Sequence, residues 1–283
     1  MRLRYAVLRA LLRAAGIAAF GAAVSIAAAG CTRQASAQTA APHDPASIAG
    51  KHNPEIARLG NVLSAMSDRA KDAIPNGDPE EFLTDLYEVL HKDTDDLLLL
   101  CDKRHPVGMD YIPSDIVTLV QNPLYDINRD GLGLRRPAAD ALSDMGRAAK
   151  AAGVTLLVSS TYRSYDYQRT VYNRLVKQDG QEAADRESAR PGTSQHQLGT
   201  AVDFGSIDDS FAQTKACAWL NEHAGEYGWS LSFPDGYEQD TGYRWESWHF
   251  RYIGPEACRF QKKWFGNIQQ YMLEFIDAWK KQR

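Results

Sequence analysis

Ser194-Gln195-His196-Gln197-Leu198-Gly199-Thr200-Ala201-Val202-Asp203-Phe204-Gly205 sets a histidine and an aspartate on either side of a glycine. Gly199 permits a tight turn. Beyond it, strand alternation sends Thr200, Val202 and Phe204 to one side and Ala201 and Asp203 to the other. Asp203 can thus lie beside His196 across the bend. A second stretch, Glu246-Ser247-Trp248-His249-Phe250-Arg251-Tyr252, reads as a strand whose Trp248 and Phe250 face a core. His249 and Arg251 then face the opposite side. Strict alternation would put Glu246 on the far side from His249, so a bend near Ser247 is required for both to reach one site.

Two imidazoles, an aspartate and a further carboxylate are the donors that hydrolytic zinc chemistry needs. Catalytic zinc takes three protein ligands and keeps a fourth position open for water. His196, Asp203 and His249 can fill the three ligand positions around a single Zn²⁺ ion. A cation held by two neutral imidazoles and one carboxylate keeps a net positive charge and acidifies bound water. Glu246, off the metal, can act as base towards that water and as acid towards a leaving amine. Taken singly, each histidine is more often a core or surface residue than a ligand, and an aspartate after a glycine turn is often only a turn carboxylate. His43, His52, His91, His105 and His223 sit in tether, helix or loop contexts that suit structural roles.

Outward from the two stretches the pattern alternates between helix and strand. Asn53-Pro54 and Asp78-Pro79 each open a helix, with a capping side chain followed by proline at the first helical position. Ile56, Leu59, Leu63, Met66 and Ala70 recur at helical spacing, as do Phe82, Leu86, Val89 and Leu90, so residues 53–96 read as a helical hairpin. Leu97 to Val107 is too short to span a bilayer and reads as a buried segment. Asp126 to Gly131 opens like a calcium loop, but Pro137 occupies the twelfth position, where a bidentate Glu is needed, so a polar turn is expected. Helices are expected over 137–152, from a Ser164 cap through Val176, and over 211–227, the last stopped by Gly228. Strands are expected over 154–160, 229–233 and 248–252. A polar segment, 177–193, leads into the central motif. The C-terminal helix aligns Ile268, Tyr271, Met272, Phe275, Ile276 and Trp279, a stripe that suits docking onto the body better than lying on a membrane. The fold class is α+β: a small central antiparallel sheet flanked by helices, with the helical hairpin at its N-terminal side.

Residues 1–30 read as an export signal, with Arg2, Arg4, Arg9 and Arg13 ahead of an alanine-rich apolar stretch. Ala28-Ala29-Gly30-Cys31 resembles a bacterial lipobox, which makes Cys31 the expected lipidation site and implies a membrane anchor; Ala28 stands where Leu is usual. The alternative is cleavage near Ala37-Gln38 and a free soluble product. Residues 31–52 are small and polar, as in a flexible tether. Residues 97–283 form the main domain. Without the signal the chain has 28 basic and 36 acidic side chains, a formal charge of −8. That sign excludes a nucleic-acid binder, and with the expected export signal and lipid anchor the partner is expected outside the cytoplasm. Cys101, Cys217 and Cys258 permit one disulfide and a free thiol, or simply buried thiols.

The two stretches together carry a family resemblance. Residues 194–205 resemble the SxHxxGxAxD signature of the LAS zinc peptidases, and Glu246 to Tyr252 resembles the ExWH signature with its following aromatic-Arg. Thr241-Gly242-Tyr243 also fits. Ser160 to Gln168, STYRSYDYQ, resembles the SGYRSYxxQ segment of the D-alanyl-D-alanine carboxypeptidase (VanY-like) branch, with Thr161 where Gly is frequent. The resemblance covers roughly residues 97–271, and it implies a hedgehog/D-Ala-D-Ala-peptidase-like fold. It implies zinc ligands at His196, Asp203 and His249, a general base at Glu246, and an arginine at Arg163 for a terminal carboxylate or an oxyanion. Gln168 and Ser194 match positions that bond the terminal residue of a substrate. The implied reaction is removal of a C-terminal D-alanine, by D,D- or L,D-cleavage, from a peptidoglycan stem peptide. The alternatives are a peptidoglycan endopeptidase and a non-catalytic wall-binding module.

Overall fold

The computed structural model describes residues 54–282. The expected signal, Cys31 and the tether lie outside the described residues. Among the described residues no helix is long and apolar enough to cross a membrane.

The chain begins with α1 (Pro54–Ala65), α2 (Asp68–Ala73) and α3 (Pro79–Lys92). Asp78 caps α3 by accepting from the Glu80 amide. The first helix of the expected hairpin is interrupted: Ser67 accepts from the Ala70 amide and starts α2, so Ala70 sits on a separate short helix. There follow β1 (Ile116–Thr118), β2 (Asp126–Ile127), β3 (Gly133–Arg135), α4 (Arg136–Ala151), β4 (Leu157–Ser160), α5 (Tyr165–Asp179) and α6 (Gln181–Glu187). After a 3₁₀ turn over Gln195–Leu198 come β5 (Ala201–Phe204), α7 (Lys215–His223), β6 (Trp229–Leu231), α8 (Glu238–Thr241), β7 (His249–Tyr252), α9 (Pro255–Trp264) and α10 (Gln269–Lys281).

Further expectations change. The single helix over 211–227 is instead a 3₁₀ turn, α7 and a second 3₁₀ turn, because the Thr214 hydroxyl accepts from the Cys217 amide and restarts the helix. The polar segment 177–193 contains α6. A helix absent from the sequence reading, α9, follows β7. Asp126 to Gly131 is a strand end and a turn, with Asp126 accepting from Gln121.

A five-stranded sheet runs in the order β2-β4-β5-β7-β6. Its pairings are antiparallel except at one edge, where β2 pairs parallel with β4. One face is apolar: Val158, Val202, Phe204 and Phe250 pack with Leu142 and Met145 of α4 and Leu220 of α7. The other face carries Asp203, Ser230, His249 and Arg251, all buried. Opposite faces of one strand pair thus serve packing and chemistry, as period-two alternation dictates.

The helices after β7 close over a second core shared with the N-terminal ones. Phe82, Leu86, Phe260, Trp264, Phe265, Met272, Phe275, Ile276 and Trp279 form one cluster with Ile56 and Leu59. Each such side chain contributes roughly 1.5–3 kcal/mol on burial, so α10 is docked and the N-terminal helices are part of the body. Arg251 ties this layer to the sheet, donating from Nη2 to the carbonyls of Leu97 and Leu99 at 2.7 and 2.8 Å. Cys101, Cys217 and Cys258 are buried free thiols. Burial pushes the Cys101 thiol up to about 12, which leaves it unreactive at neutral pH.

Candidate metal centre

Gly199 adopts φ +70°, and a Cβ there would meet Ile116 Cδ1 at 2.6 Å. The turn it allows swings the chain from the 3₁₀ segment bearing His196 into β5 bearing Asp203. The register then sets Asp203 directly opposite His249 on β7. His249 meets Glu246 through a turn at Ser247-Trp248, closed by the His249 amide donating to the Glu246 carbonyl at 3.2 Å. That is the bend the sequence required. The four side chains converge.

His196 Nε2 lies 3.2 Å from Asp203 Oδ2, and His249 Nδ1 lies 3.0 Å from Asp203 Oδ1. Glu246 Oε2 is 3.5 Å from His249 Nδ1. One donor atom from each of His196, Asp203 and His249 falls within 4.8 Å of the others. Ligands at the ~2.1 Å bond lengths of tetrahedral zinc are separated by roughly 3.4 Å, so the spacing fits a shared cation.

Hydrogen bonding points the same way. His196 Nδ1 lies 2.7 Å from the Thr161 carbonyl, which can only accept, so the ring proton sits on Nδ1. Nε2 therefore presents a lone pair to a carboxylate. His196 Nε2 and Asp203 Oδ1 are both buried without a hydrogen bond. Unpartnered acceptors held out of water in this way are what a shared cation would satisfy. Burial, with help from the Arg163 charge, lowers His196 to about 4 and keeps it neutral. Burial opposes ionisation of Asp203, but the two imidazoles prevail and hold its carboxyl well below the usual range. Glu246 goes the other way: burial first, then the Asp203 charge, push it well above the usual carboxylate range. Carboxylates with divergent pKa values in one cleft mark distinct roles.

These groups line a cavity of about 690 Å³, together with Arg163, Ser194, Phe233 and Tyr243. The Arg163 amide donates to the His196 carbonyl at 3.2 Å, and its Nε is buried without a partner. Among the described residues its guanidinium makes no hydrogen bond or ion pair. Ser194 lines the cavity and caps the 3₁₀ turn, its hydroxyl accepting from the His196 amide at 3.3 Å. Gln168, expected at the substrate, is fully buried and absent from the cavity lining. Its Nε2 donates to the Ala189 carbonyl at 2.6 Å, so it braces the wall formed by residues 188–189. The sequence reading overlooked Gln195, whose Oε1 lies 3.2 Å from His249 Nε2. The side chain is buried next to a ligand candidate, but its partners are remote in sequence.

An α+β sheet presenting a buried His-Asp-His triplet and a neighbouring glutamate defines a metallopeptidase type of domain. A family described as VanY, D-alanyl-D-alanine carboxypeptidase, matches residues 131–255. The chain is 33% identical over 171 residues to the putative carboxypeptidase YodJ of Bacillus subtilis (strain 168), covering 58% of this chain and 63% of that one. It is 29% identical over 182 residues to a D-alanyl-D-alanine carboxypeptidase of Enterococcus faecium, covering 62% and 57%. The chain thus spans about three fifths of the length of these relatives. Among solved structures, it is similar to the LdcB LD-carboxypeptidase (TM-score 0.58, 29% identity, covering 66% of this chain and 88% of that one). It is also similar to a mutant of the D,D-pentapeptidase VanY from the VanB-type resistance cassette, solved in complex with Zn(II) (TM-score 0.51, 30% identity, covering 62% and 98%).

Proposed function

We propose that this protein is a zinc carboxypeptidase that removes a C-terminal D-alanine from peptidoglycan stem peptides. His196, Asp203 and His249 would hold one zinc ion, which when bound would supply Lewis-acid polarisation of the scissile carbonyl and acidify water. Glu246 accepts the water proton and returns it to the departing amine, a task suited to a carboxyl that burial and the Asp203 charge raise well above the ordinary range. Arg163 offers a planar, permanently charged fork to the terminal carboxylate or the developing oxyanion. Ser194 holds the turn that aims His196. The observation that carries the reading is Glu246 buried in the same cavity as the His-Asp-His triplet, facing a guanidinium with free donors. Residues 1–30 export the chain and Cys31 anchors it by lipid to an envelope membrane, so the substrate is met outside the cytoplasm.

Mass spectrometry of defined tetrapeptide and pentapeptide stems, incubated with zinc-loaded protein, tests the reaction. Loss of one D-alanine from the pentapeptide indicates D,D-cleavage, and loss from the tetrapeptide indicates L,D-cleavage. Amidating the stem terminus should abolish turnover. Unimpaired cleavage of the amidated stem would assign an endopeptidase instead.

Arg163→Lys keeps the charge but loses the fork. It is expected to lower kcat/KM by about 10²-fold, as loss of an oxyanion donor does. The melting temperature should move by only a few degrees, since the native guanidinium makes no ion pair. Kinetics set beside thermal melting check this. A loss of activity that merely tracks loss of fold would deny Arg163 a part in the chemistry.

A further inference from the structure

The Nε2 edge of His249 faces a buried polar chain that leads out of the family-matched region. Gln195 Oε1 lies 3.2 Å from that nitrogen and accepts from the Ser232 hydroxyl at 2.7 Å. Gln195 Nε2 donates to Gln269 Oε1 at 3.4 Å, and Gln269 Nε2 donates to the Ser230 carbonyl at 3.2 Å. Gln195, Ser232 and Gln269 are 6%, 2% and 1% exposed, so water does not offer alternative partners.

The chain has a fixed direction. A backbone carbonyl can only accept, so Gln269 turns its NH₂ to Ser230 and its oxygen to Gln195. Gln269 Oε1 lies 3.2 Å from the Ser232 hydroxyl and also takes the Gln195 NH₂, and this orientation of Gln195 leaves its oxygen for His249. His249 then carries its proton on Nε2 and presents the Nδ1 lone pair to Asp203. His196 reaches the same condition in one step, through the Thr161 carbonyl. The two imidazoles use opposite nitrogens towards the site, and each is oriented by a backbone acceptor.

We propose that Gln195 and Gln269 are positioning residues that fix the tautomer and ring orientation of His249 for metal binding. The zinc reading proposed above supplies the metal in this inference; the tautomer stands apart from it. Gln269 opens α10, beyond the matched residues 131–255, and α10 shares a core with α1 and α3. Through Gln269, α10 therefore reaches the metal centre from outside the matched residues. Partners of this kind typically change metal affinity 10–100-fold when removed.

The test uses the full chain, histidine-¹⁵N-labelled and metal-free, with the His249 signals assigned by their loss in His249→Asn. The native protein should show His249 as the Nε2–H tautomer, and an Nδ1–H tautomer would overturn the proposal without any further variant. Gln195→Leu should shift His249 towards a mixture and weaken zinc binding, read by chelator competition, by about 10–100-fold. Gln195→Glu, which still accepts from Nε2–H but cannot donate to Gln269, should keep His249 in the Nε2–H form. Gln269→Leu should move both readouts in the same direction as Gln195→Leu. Unchanged tautomer and zinc affinity in folded Gln195→Leu would also overturn the relay. A native Nε2–H tautomer lost in Gln195→Leu, in a protein that binds no zinc, would support the relay and refute the metal-centre reading alone.

Discussion

Glu246→Gln is expected to lower kcat by about 10³-fold while leaving zinc content unchanged, since general acid–base groups contribute 10²–10⁴-fold. Glutamine preserves the shape of the side chain but cannot accept a proton from water. The donor atoms proposed for the metal belong to other residues, so metal analysis of the purified variant should match native. Turnover of stem peptides at the native rate would remove Glu246 from the mechanism.

The same substitution should stabilise the metal-free protein, with an effect that grows with pH. Burial and the Asp203 charge raise the Glu246 carboxyl in the folded state. Between the ordinary carboxylate range and that raised value, the folded state binds more protons than the unfolded one, so stability falls as pH rises. A neutral amide in its place would carry no such penalty. Melting temperatures of metal-free native and Glu246→Gln protein should agree closely at pH 4 and diverge in favour of the variant by pH 8. Function and stability pull this position in opposite directions, as is common in active sites.

The candidate site was legible in the sequence because its determinants are local. Gly199 sets the turn, alternation sets which side chains share a face, and the expected bend at Ser247 follows from two residues having to meet. What stayed hidden depends on partners distant in the chain. Gln195 looks like a polar spacer between Ser194 and His196 until β6 and α10 bring Ser232 and Gln269 to it. Gln269 and Gln270 sit between Ile268 and Tyr271 of the apolar stripe, and only the fold shows that both are buried. The N-terminal helices were legible as helices, but their union with α9 and α10 was not, because apolar stripes do not name their partners. The restart at Thr214 was readable in principle, as a capping hydroxyl inside a long helical pattern.

Asp203→Asn should separate the charge of this residue from its shape. The carboxylate bridges the two imidazoles at 3.2 and 3.0 Å and is the anionic member of the triplet. Asparagine fills the same volume, and its NH₂ can donate to an imidazole lone pair that otherwise faces an acceptor. The metal-free variant is therefore expected to fold, which its melting curve checks. Its zinc affinity should fall by more than about 10²-fold, because a partner one bond further from the metal is already worth 10–100-fold. Hydrolysis should fall with zinc occupancy and recover in part at high zinc. In the native protein a strong chelator should abolish turnover and lower the melting temperature, as expected for an ion that binds only the folded state. Native zinc affinity in folded Asp203→Asn would mean that the carboxylate merely holds the histidines in place, and the metal would then have to rest on two imidazoles and Glu246, leaving the reaction without its base.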